Sequence, residues 1–331
     1  MPASNNTIQP LADFLRTNKT FLLVPHERAD GDALGSMLAL ARGLELQGKK
    51  AIPLLLSDVS ERYRFLFGET FPSILGGNLA VKDIPDSDAV ILIDTGVRQQ
   101  VQPILPLLDR RTNKLIVIDH HASCDLSPDF AFIDEASPAT GLLVGKLLGE
   151  LGWLNDSQMA EYLLVAIASD TGWFSYGNTT ADCFWWAGRL AELGADSPAI
   201  YQKLFLSDSP QRFRLLARAL SGAELRVDNR LVVMTLRQED FEMCGANQGH
   251  TENLIDQACR LKSMLAAILF VEQAGGIIRM SLRSRDPFDV DLFARQFGGG
   301  GHRQAAGMRI EGSMDEVKTK VLAVLEEDLK K

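Results

Sequence analysis

Residues 20–36 read Thr-Phe-Leu-Leu-Val-Pro-His-Glu-Arg-Ala-Asp-Gly-Asp-Ala-Leu-Gly-Ser, and this stretch decides the fold of the first half of the chain. An apolar run comes first, and a histidine and two aspartates follow it. Beyond them, a helical stretch runs from Ser36 to about residue 46. A short apolar run that ends in acids or histidine is typical of a buried parallel strand that delivers ligands to one edge of a sheet.

The same arrangement recurs further along the chain. The runs Ala89–Ile93 and Lys114–Ile118 end at Asp94 and at the triplet 119–121, Asp-His-His. A further acid, Asp170, ends a helical run that begins near residue 159. Because ligands of open α/β sheets lie outside the carboxyl ends of the strands, these clusters are expected to meet in one site.

The composition is that of a globular protein with room for two domains. The chain has 331 residues, of which 46% are hydrophobic and 23% are charged. We find no run of eighteen apolar residues and no basic-then-apolar leader at the N-terminus, which predicts a cytoplasmic protein without a membrane span. The four cysteines are widely spaced, as expected for reduced thiols.

The net charge of −9 argues against a protein that wraps long duplex nucleic acid, which favours a broad basic surface. It does not exclude small anionic substrates, since divalent cations in the proposed site would offset its carboxylates. The sequence leaves the oligomeric state open, with a homodimer among the options.

The pattern predicts an α/β fold in two domains. Strand-like and helix-like segments alternate through the first half and predict a mostly parallel sheet flanked by helices, with another strand near 50–56. The pattern then turns helical from about 138 to 221 and becomes strand-rich beyond 222, before a C-terminal helix. We assign residues 1–205 to the first domain, 206–222 to a linker and 223–331 to a smaller α/β domain.

The donor chemistry predicts a pair of divalent cations. One ion would take His26, Asp30 and Asp94, and the other would take Asp32, Asp94, His120 and Asp170, so that Asp94 bridges the two. Carboxylates with imidazole suit manganese or magnesium better than soft metals. Two ions about 3.5–4 Å apart can hold a bridging hydroxide and a phosphoryl group for in-line attack. The helix that begins near residue 33 could add backbone amides for an anion.

Each of these aspartates and histidines, taken alone, also fits a purely structural role. A single aspartate at a strand end is usually a helix cap or a turn residue, and a single histidine is usually structural. Their joint occurrence favours a site, because three of only five histidines in the chain fall inside these clusters.

On these residues the chain resembles the DHH phosphoesterase family. The match includes the segment from His26 to Ser36, Asp94, the Asp-His-His triplet, and Asp170-Thr-Gly followed by Asn178-Thr-Thr. The resemblance implies two manganese ions, with magnesium or cobalt as substitutes. It implies that Asp94, Asp119 and His121 are the catalytic residues: Asp119 supports the site, while His121 contacts the scissile phosphate and serves as a proton donor. Cys124 departs from the asparagine of many relatives, which puts only the local loop geometry in doubt.

A glycine run marks the C-terminal half. Residues 298–307 read Gly-Gly-Gly-Gly-His-Arg-Gln-Ala-Ala-Gly, and Ser-Leu-Arg-Ser precedes them at 281–284. Glycines without Cβ let backbone amides approach a ligand. Six arginines against three aspartates between 279 and 309 add positive charge suited to phosphate.

These motifs resemble the domain that accompanies DHH domains in many phosphoesterases. The resemblance implies that Arg283 and His302 reach the nucleotide end of the substrate and that the active site lies in the cleft between the domains. The remaining substrate-binding candidates of this region are Gly299, Gly300, Gly301 and Arg303.

The two-domain length is similar to enzymes that degrade very short RNAs and dephosphorylate 3′-phosphoadenosine 5′-phosphate. The predicted function is therefore a manganese-dependent exonuclease for short single-stranded RNA, a bisphosphate nucleotide phosphatase, or both. A soluble cyclic-dinucleotide phosphodiesterase is the closest alternative. A nucleotide-binding regulator without turnover is the other, although such a protein would be expected to have lost metal ligands. RecJ-type exonucleases carry a further nucleic-acid-binding module, and manganese pyrophosphatases end in a different basic motif.

Overall fold

A six-stranded parallel sheet forms the first half of the computed structural model, which describes residues 8–68 and 70–330 and, for His302, the backbone alone. Its strands are β1 (Thr20–Pro25), β2 (Lys50–Leu55), β3 (Ser73–Ile74), β4 (Ala89–Ile93), β5 (Lys114–Asp119) and β6 (Phe130–Ile133). They lie in the order β3-β2-β1-β4-β5-β6. The order reverses between β1 and β4, and such a switch point is where open α/β sheets place their ligands.

Helices flank this sheet. They are α1 (Ile8–Thr17), α2 (Gly31–Leu46), α3 (Leu105–Leu108), α4 (Thr140–Leu151), α5 (Ser157–Asp170), α6 (Ala181–Glu192) and α7 (Ser197–Phe205), with 3₁₀ helices at Glu61–Phe67, Val81–Asp83 and Arg98–Ile104. In β1, Phe21 and Leu23 pack into one core cluster while Leu22 and Val24 pack into another. Burial on both faces explains why the predicted strands read as continuous apolar runs.

The second unit contains a mixed six-stranded sheet. Its strands are β7 (Glu224–Arg226), β8 (Leu231–Leu236), β9 (Ala266–Gln273), β10 (Ile277–Ser284), β11 (Gly300–His302) and β12 (Ala305–Glu311), in the order β11-β12-β10-β9-β8-β7. Only the β8–β9 pair is parallel among the described strands of this sheet. Its helices are α8 (Pro210–Ser221), α9 (Gln238–Cys244), α10 (Val290–Arg295) and α11 (Met314–Asp328), with 3₁₀ helices at Gln248–Thr251 and Leu254–Arg260.

The core of the second unit follows from period-2 alternation. Along β10 the side chains of Ile278, Met280 and Leu282 are buried, and their neighbours along the strand are more exposed. They join a cluster with Val321 and Leu325 of α11. The α/β fold class predicted from the sequence is confirmed, with a fully parallel sheet in the first unit.

The predicted linker, residues 206–222, is mostly helical. The two compact units are Met1–Ser207 and Asp208–Lys331. Helix α8 lies within the 206–222 interval, and its Leu215 and Ala219 are buried in a core cluster of the second unit. Those two residues are one helical turn apart, which lets them share a face, so that packing orders the segment. Among the described helices, none combines the length and apolarity needed to cross a bilayer.

Candidate metal centre and active site

Three neighbouring parallel strands bring the first ligands together. His26 directly follows β1, Asp94 directly follows β4, and Asp119 is the last residue of β5 with His120 after it. The pairings align Pro25 with Ile93 and Ile93 with Ile118, so the three strands end at the same level. The sheet register therefore gathers these side chains at one edge, as the sequence predicts.

Close helix packing brings two further acids, Asp32 and Asp170, to that edge. A Cβ on Gly31 of α2 would collide with the side chain of Ser169, and one on Gly35 would collide with the carbonyl of Tyr162. Only glycine lets α2 approach α5 so closely. The approach sets Asp32, in the first turn of α2, beside Asp170, the last residue of α5.

The predicted ligands form overlapping groups whose donor atoms lie within 4.8 Å of one another. One group contains His26, Asp30 and Asp94, which is the set predicted for one ion. Another contains Asp32, His120 and Asp170, which are predicted for the second ion together with Asp94. Asp94 also belongs to a third group with His120 and His121, so it connects the group of His26 to His120.

Asp94 faces both histidine ligands with different oxygens. Its Oδ2 lies 3.6 Å from His26 Nε2, and its Oδ1 lies 3.5 Å from His120 Nε2. The residue is 2% exposed and its φ is +62°, a left-handed conformation that is unusual for a non-glycine residue. A side chain with one oxygen toward each group has the geometry expected of a bridging ligand.

The surroundings of His120 fit a bound cation well. Its Nδ1 lies 3.1 Å from the carbonyl of Ser137, so in the neutral ring Nδ1 carries the proton and Nε2 carries the lone pair. Nε2 is buried, lies 3.1 Å from Asp170 Oδ2, and makes no hydrogen bond within the described part of the chain. An imidazole lone pair surrounded by carboxylates fits a bound metal ion.

The electrostatics of the site also favour cations. Burial, and then the negative charges of Asp94 and Asp170, raise the pKa of Asp32 well above its ordinary value. Partial withdrawal from water and the nearby Asp94 carboxylate raise the pKa of Asp30 to about 6. Burial would lower the pKa of both His26 and His120, but the surrounding carboxylates outweigh it and raise each to about 9. Divalent cations would relieve the repulsion among these carboxylates.

His121 differs from His26 and His120 in its hydrogen-bond partner, which is Asp119. Its Nδ1 lies 2.8 Å from Asp119 Oδ1, and its backbone N–H donates to the same oxygen. The hydrogen bond to Asp119 raises the pKa of His121 against the effect of its burial, and Asp94 adds to the rise. The ring is 37% exposed, compared with 12% for His120, so it can meet a substrate.

The start of α2 is capped internally. Asp30 Oδ1 accepts hydrogen bonds from the backbone N–H groups of Asp32 and Ala33. Those amides were expected to help hold an anion, and in the structure the aspartate itself occupies them. The same oxygen of Asp30, Oδ1, lies 3.9 Å from His26 Nε2.

Thr140 and Gly141 also orient side chains of the site, and the sequence did not predict this. Thr140 Oγ1 donates to Asp94 Oδ1 at 2.8 Å, and the backbone N–H groups of Thr140 and Gly141 donate to the two oxygens of Asp32 at 2.7 and 2.8 Å. The available signal was Thr-Gly immediately before the apolar run Leu142–Val144, since a helix is expected to begin there.

The glycine run of the second unit is part of its sheet. Residues Gly300–His302 form β11, which pairs antiparallel with β12. A Cβ on Gly299 or on Gly301 would collide with β12, and the N–H of Gly301 already donates to Asp291 at 2.8 Å. Close strand packing therefore accounts for two of the glycines, whereas Gly300 has only Asp291 nearby.

The charged candidates of this unit are ion-paired. Arg283, on β10, lies 2.8 Å from Asp256, and Arg303 lies 3.1 Å from Asp286. Arg283 is one-quarter exposed, so it could meet a ligand at its outer edge. The side chain of His302 lies outside the described residues.

Comparison with known proteins identifies two domains in the chain. Residues 20–167 match the model of the DHH family, N-terminal domain, and residues 229–331 match that of the DHHA1 domain. A protein named bifunctional oligoribonuclease and PAP phosphatase NrnA from Thermus thermophilus is 27% identical over 93% of this chain and 89% of its own. The protein of the same name from Bacillus subtilis is 26% identical over 93% of this chain and 94% of its own.

One solved structure matches nearly the whole chain. The crystal structure of an exopolyphosphatase-related protein from Bacteroides fragilis superposes with a TM-score of 0.91 at 23% identity and covers 98% of this chain and 97% of its own. At that identity the match supports the fold. The protein described here contains an N-terminal domain of the DHH family and a DHHA1 domain. It is a metal-dependent phosphoesterase of that class.

Proposed function

We propose that this protein is a manganese-dependent phosphoesterase that hydrolyses short oligoribonucleotides, 3′,5′-bisphosphate nucleotides, or both. The observation that carries the proposal is the shared position of Asp94, which belongs to the groups of both His26 and His120. A bridged pair of cation sites is the arrangement expected for phosphoryl transfer to water. The names of the two relatives supply the substrate classes.

The proposed metal ligands divide into two sets. His26, Asp30 and Asp94 would hold one cation, and Asp32, Asp94, His120 and Asp170 would hold the other. Hard carboxylate oxygens with imidazole nitrogen favour manganese, and magnesium or cobalt would also fit. When bound, the cations would supply Lewis-acid activation of water and of the phosphate.

The chain's own residues would do the rest of the chemistry. Asp119, fully buried, holds the His121 ring by Nδ1, so proton exchange with a substrate would run through Nε2. The hydrogen bond to Asp119 raises the pKa of His121, which favours the protonated form of that ring. We assign His121 to the scissile phosphate and to proton donation toward the leaving oxygen.

The second unit would bind the nucleotide. We assign this role to Arg283 and Arg303, whose guanidinium groups suit phosphate, to the edge strand Gly299–Gly301, and to His302. Long duplex nucleic acid does not fit a chain with net charge −9. The four cysteines are all free thiols, in keeping with the proposed cytoplasmic location.

A substrate panel tests the proposal. Chelator-stripped enzyme reloaded with manganese is assayed against RNA of about two to five nucleotides, 3′-phosphoadenosine 5′-phosphate and cyclic di-AMP, with Asp94→Asn as the inactive control. We expect release of mononucleotides from the short RNA, or of phosphate from the bisphosphate, by the parent alone. Exclusive hydrolysis of cyclic di-AMP would favour the cyclic-dinucleotide alternative. Tight nucleotide binding without product would favour a regulator.

A further inference from the structure

We propose that Thr140 is a positioning residue that sets the orientation of the bridging carboxylate and thereby the affinity of the cation site built on His120. The inference rests on the proposed two-cation function and adds a residue outside the ligand set. Thr140 is fully buried at the first position of α4. It contacts two of the proposed ligands at once, through its hydroxyl and through its backbone N–H.

The Thr140 hydroxyl donates its hydrogen bond to one of the two Asp94 oxygens. Thr140 Oγ1 lies 2.8 Å from Asp94 Oδ1, which is the oxygen 3.5 Å from His120 Nε2. The other oxygen, Oδ2, faces His26 at 3.6 Å. Rotation about the last torsion of an aspartate is soft, so a hydrogen bond to one oxygen is what keeps each oxygen directed at its own histidine.

The backbone of Thr140 anchors the same half of the site. Its N–H donates to Asp32 Oδ2 at 2.7 Å, and the N–H of Gly141 donates to Asp32 Oδ1 at 2.8 Å. Helix α4 has no side-chain cap from Ala139, the residue before it, so Asp32 of α2 caps α4 across the fold. Ser36 Oγ also approaches Asp32 Oδ1, at 3.2 Å. Asp32 is thus oriented by three donors, two of them at the start of α4.

Threonine suits this position for a physical reason. Its branched Cβ restricts χ1, which reduces the number of directions open to the hydroxyl. Both of its polar groups act on ligands of the His120 group, because Asp94 Oδ1 faces that group and Asp32 belongs to it. Loss of the hydroxyl should therefore weaken one cation site more than the other.

The test compares Thr140→Val, which is close in shape and lacks the donor, with Thr140→Ser, which restores it. Manganese binding to chelator-stripped protein is measured by isothermal titration calorimetry, and the coupling of the two ions by electron paramagnetic resonance. Loss of an outer hydrogen bond to a ligand typically weakens metal affinity by about 10–100-fold. We expect that loss for one of the two ions in Thr140→Val, with the other ion changed less than about threefold and Thr140→Ser close to the parent.

Controls separate positioning from folding. Thr235, in β8 of the second unit, has a buried hydroxyl without a hydrogen-bond partner among the described residues, so Thr235→Val should leave both affinities unchanged. If Thr140→Val does not fold, Thr140→Ala carries the same test, since it keeps the backbone N–H. In turnover assays the folded variant should lose kcat, and its KM should change less than about threefold.

Two results would overturn the inference, and they differ from a failure of the proposed function. Parent-like affinity for both ions in Thr140→Val, or equal losses in Thr140→Val and Thr140→Ser, would contradict a role for the hydroxyl. In either case the parent would still bind two ions and hydrolyse its substrates. A parent that binds no manganese would instead contradict the proposed function and the inference together.

Discussion

Asp119 Oδ1 accepts two hydrogen bonds from His121, one from the ring Nδ1 at 2.8 Å and one from the backbone N–H at 3.1 Å. A single buried oxygen therefore fixes both the position and the tautomer of the ring. The neighbouring His120 is held differently, since its Nδ1 lies against the Ser137 carbonyl and its Nε2 faces Asp94 and Asp170. The two adjacent histidines are thus expected to have separate functions.

The first prediction separates these two histidines. His120→Ala should lose manganese, because it removes a ligand, whereas His121→Ala should keep manganese and lose turnover. Metal content after gel filtration and initial rates on a short RNA check the prediction. Equal metal content and equal loss of turnover in both variants would refute the separate roles of His120 in metal binding and His121 in turnover.

The second prediction concerns the shared carboxylate. Asp94→Asn should be the most damaging single ligand change, with turnover reduced by about a hundredfold or more, because both cation groups lose a charged ligand. Asp30→Asn, which changes one group only, is the matched comparison. Rates and manganese stoichiometry are measured for both proteins. A smaller effect from Asp94→Asn than from Asp30→Asn would argue against a bridge.

The third prediction concerns Arg283. Its replacement by alanine should raise KM for short RNA, a loss of about 1.5–3 kcal/mol for a charge-assisted contact, with manganese binding unchanged. Arg237, which pairs with Asp315 in the same unit, provides a control whose alanine variant should behave like the parent. Steady-state kinetics compare the three proteins. An Arg283→Ala variant with parent KM would remove this residue from substrate binding.

The same kinetics test substrate length. The proposed assignment predicts that RNAs of about two to five nucleotides are cut one nucleotide at a time and that duplexes are left intact. The reason is that long strands are bound along extended basic grooves, which an acidic chain does not favour. Rates that climb with length up to tens of nucleotides would contradict that expectation.

The fourth prediction concerns stability and its pH dependence. Asp156 accepts the N–H of Met159 at the start of α5 and pairs with Arg42 at 2.9 Å, and the hydrogen bond from Arg42 holds the pKa of Asp156 below its ordinary value. Asp156→Ala should destabilise the protein by about 1–3 kcal/mol at pH 7. Because the folded pKa is lowered, this stability is present above the ordinary pKa and is lost as the pH falls through the folded value.

Urea unfolding checks this prediction. The difference between Asp156→Ala and the parent should be constant from about pH 5 to 8 and should shrink below about pH 4. Asp13→Ala, which breaks an exposed pair with Arg16, should change stability by less than about 1 kcal/mol. A difference between Asp156→Ala and the parent that grows on acidification would show that the carboxylate is not stabilised by its partners.

Much of the site could be predicted because several predicted ligands directly follow a strand in the sequence. Apolar runs that end in Asp94 or Asp119 are read directly, and the parallel sheet places their ends side by side. The role of Thr140 could not be predicted from the sequence, because its hydrogen bonds join α4 to Asp94 and Asp32. These residues lie 46 and 108 positions earlier in the chain.

The glycine run shows a different limit of sequence reasoning. Flexibility and tight packing both select glycine, and only the pairing of β11 with β12 shows that Gly299 and Gly301 are required by close approach. Likewise, the count of arginines near the run indicated a positive surface. The structure pairs Arg283 with Asp256, whose distance along the chain hides the contact from the sequence.

We propose that phosphoester hydrolysis by this protein requires two manganese ions held by the site. The most direct measurement is the initial rate on a short RNA as manganese is added back to chelator-stripped enzyme. We predict no turnover without metal and a rate that rises to its plateau at about two equivalents of manganese per chain. Undiminished turnover by the stripped enzyme, or a plateau at one equivalent, would contradict the account.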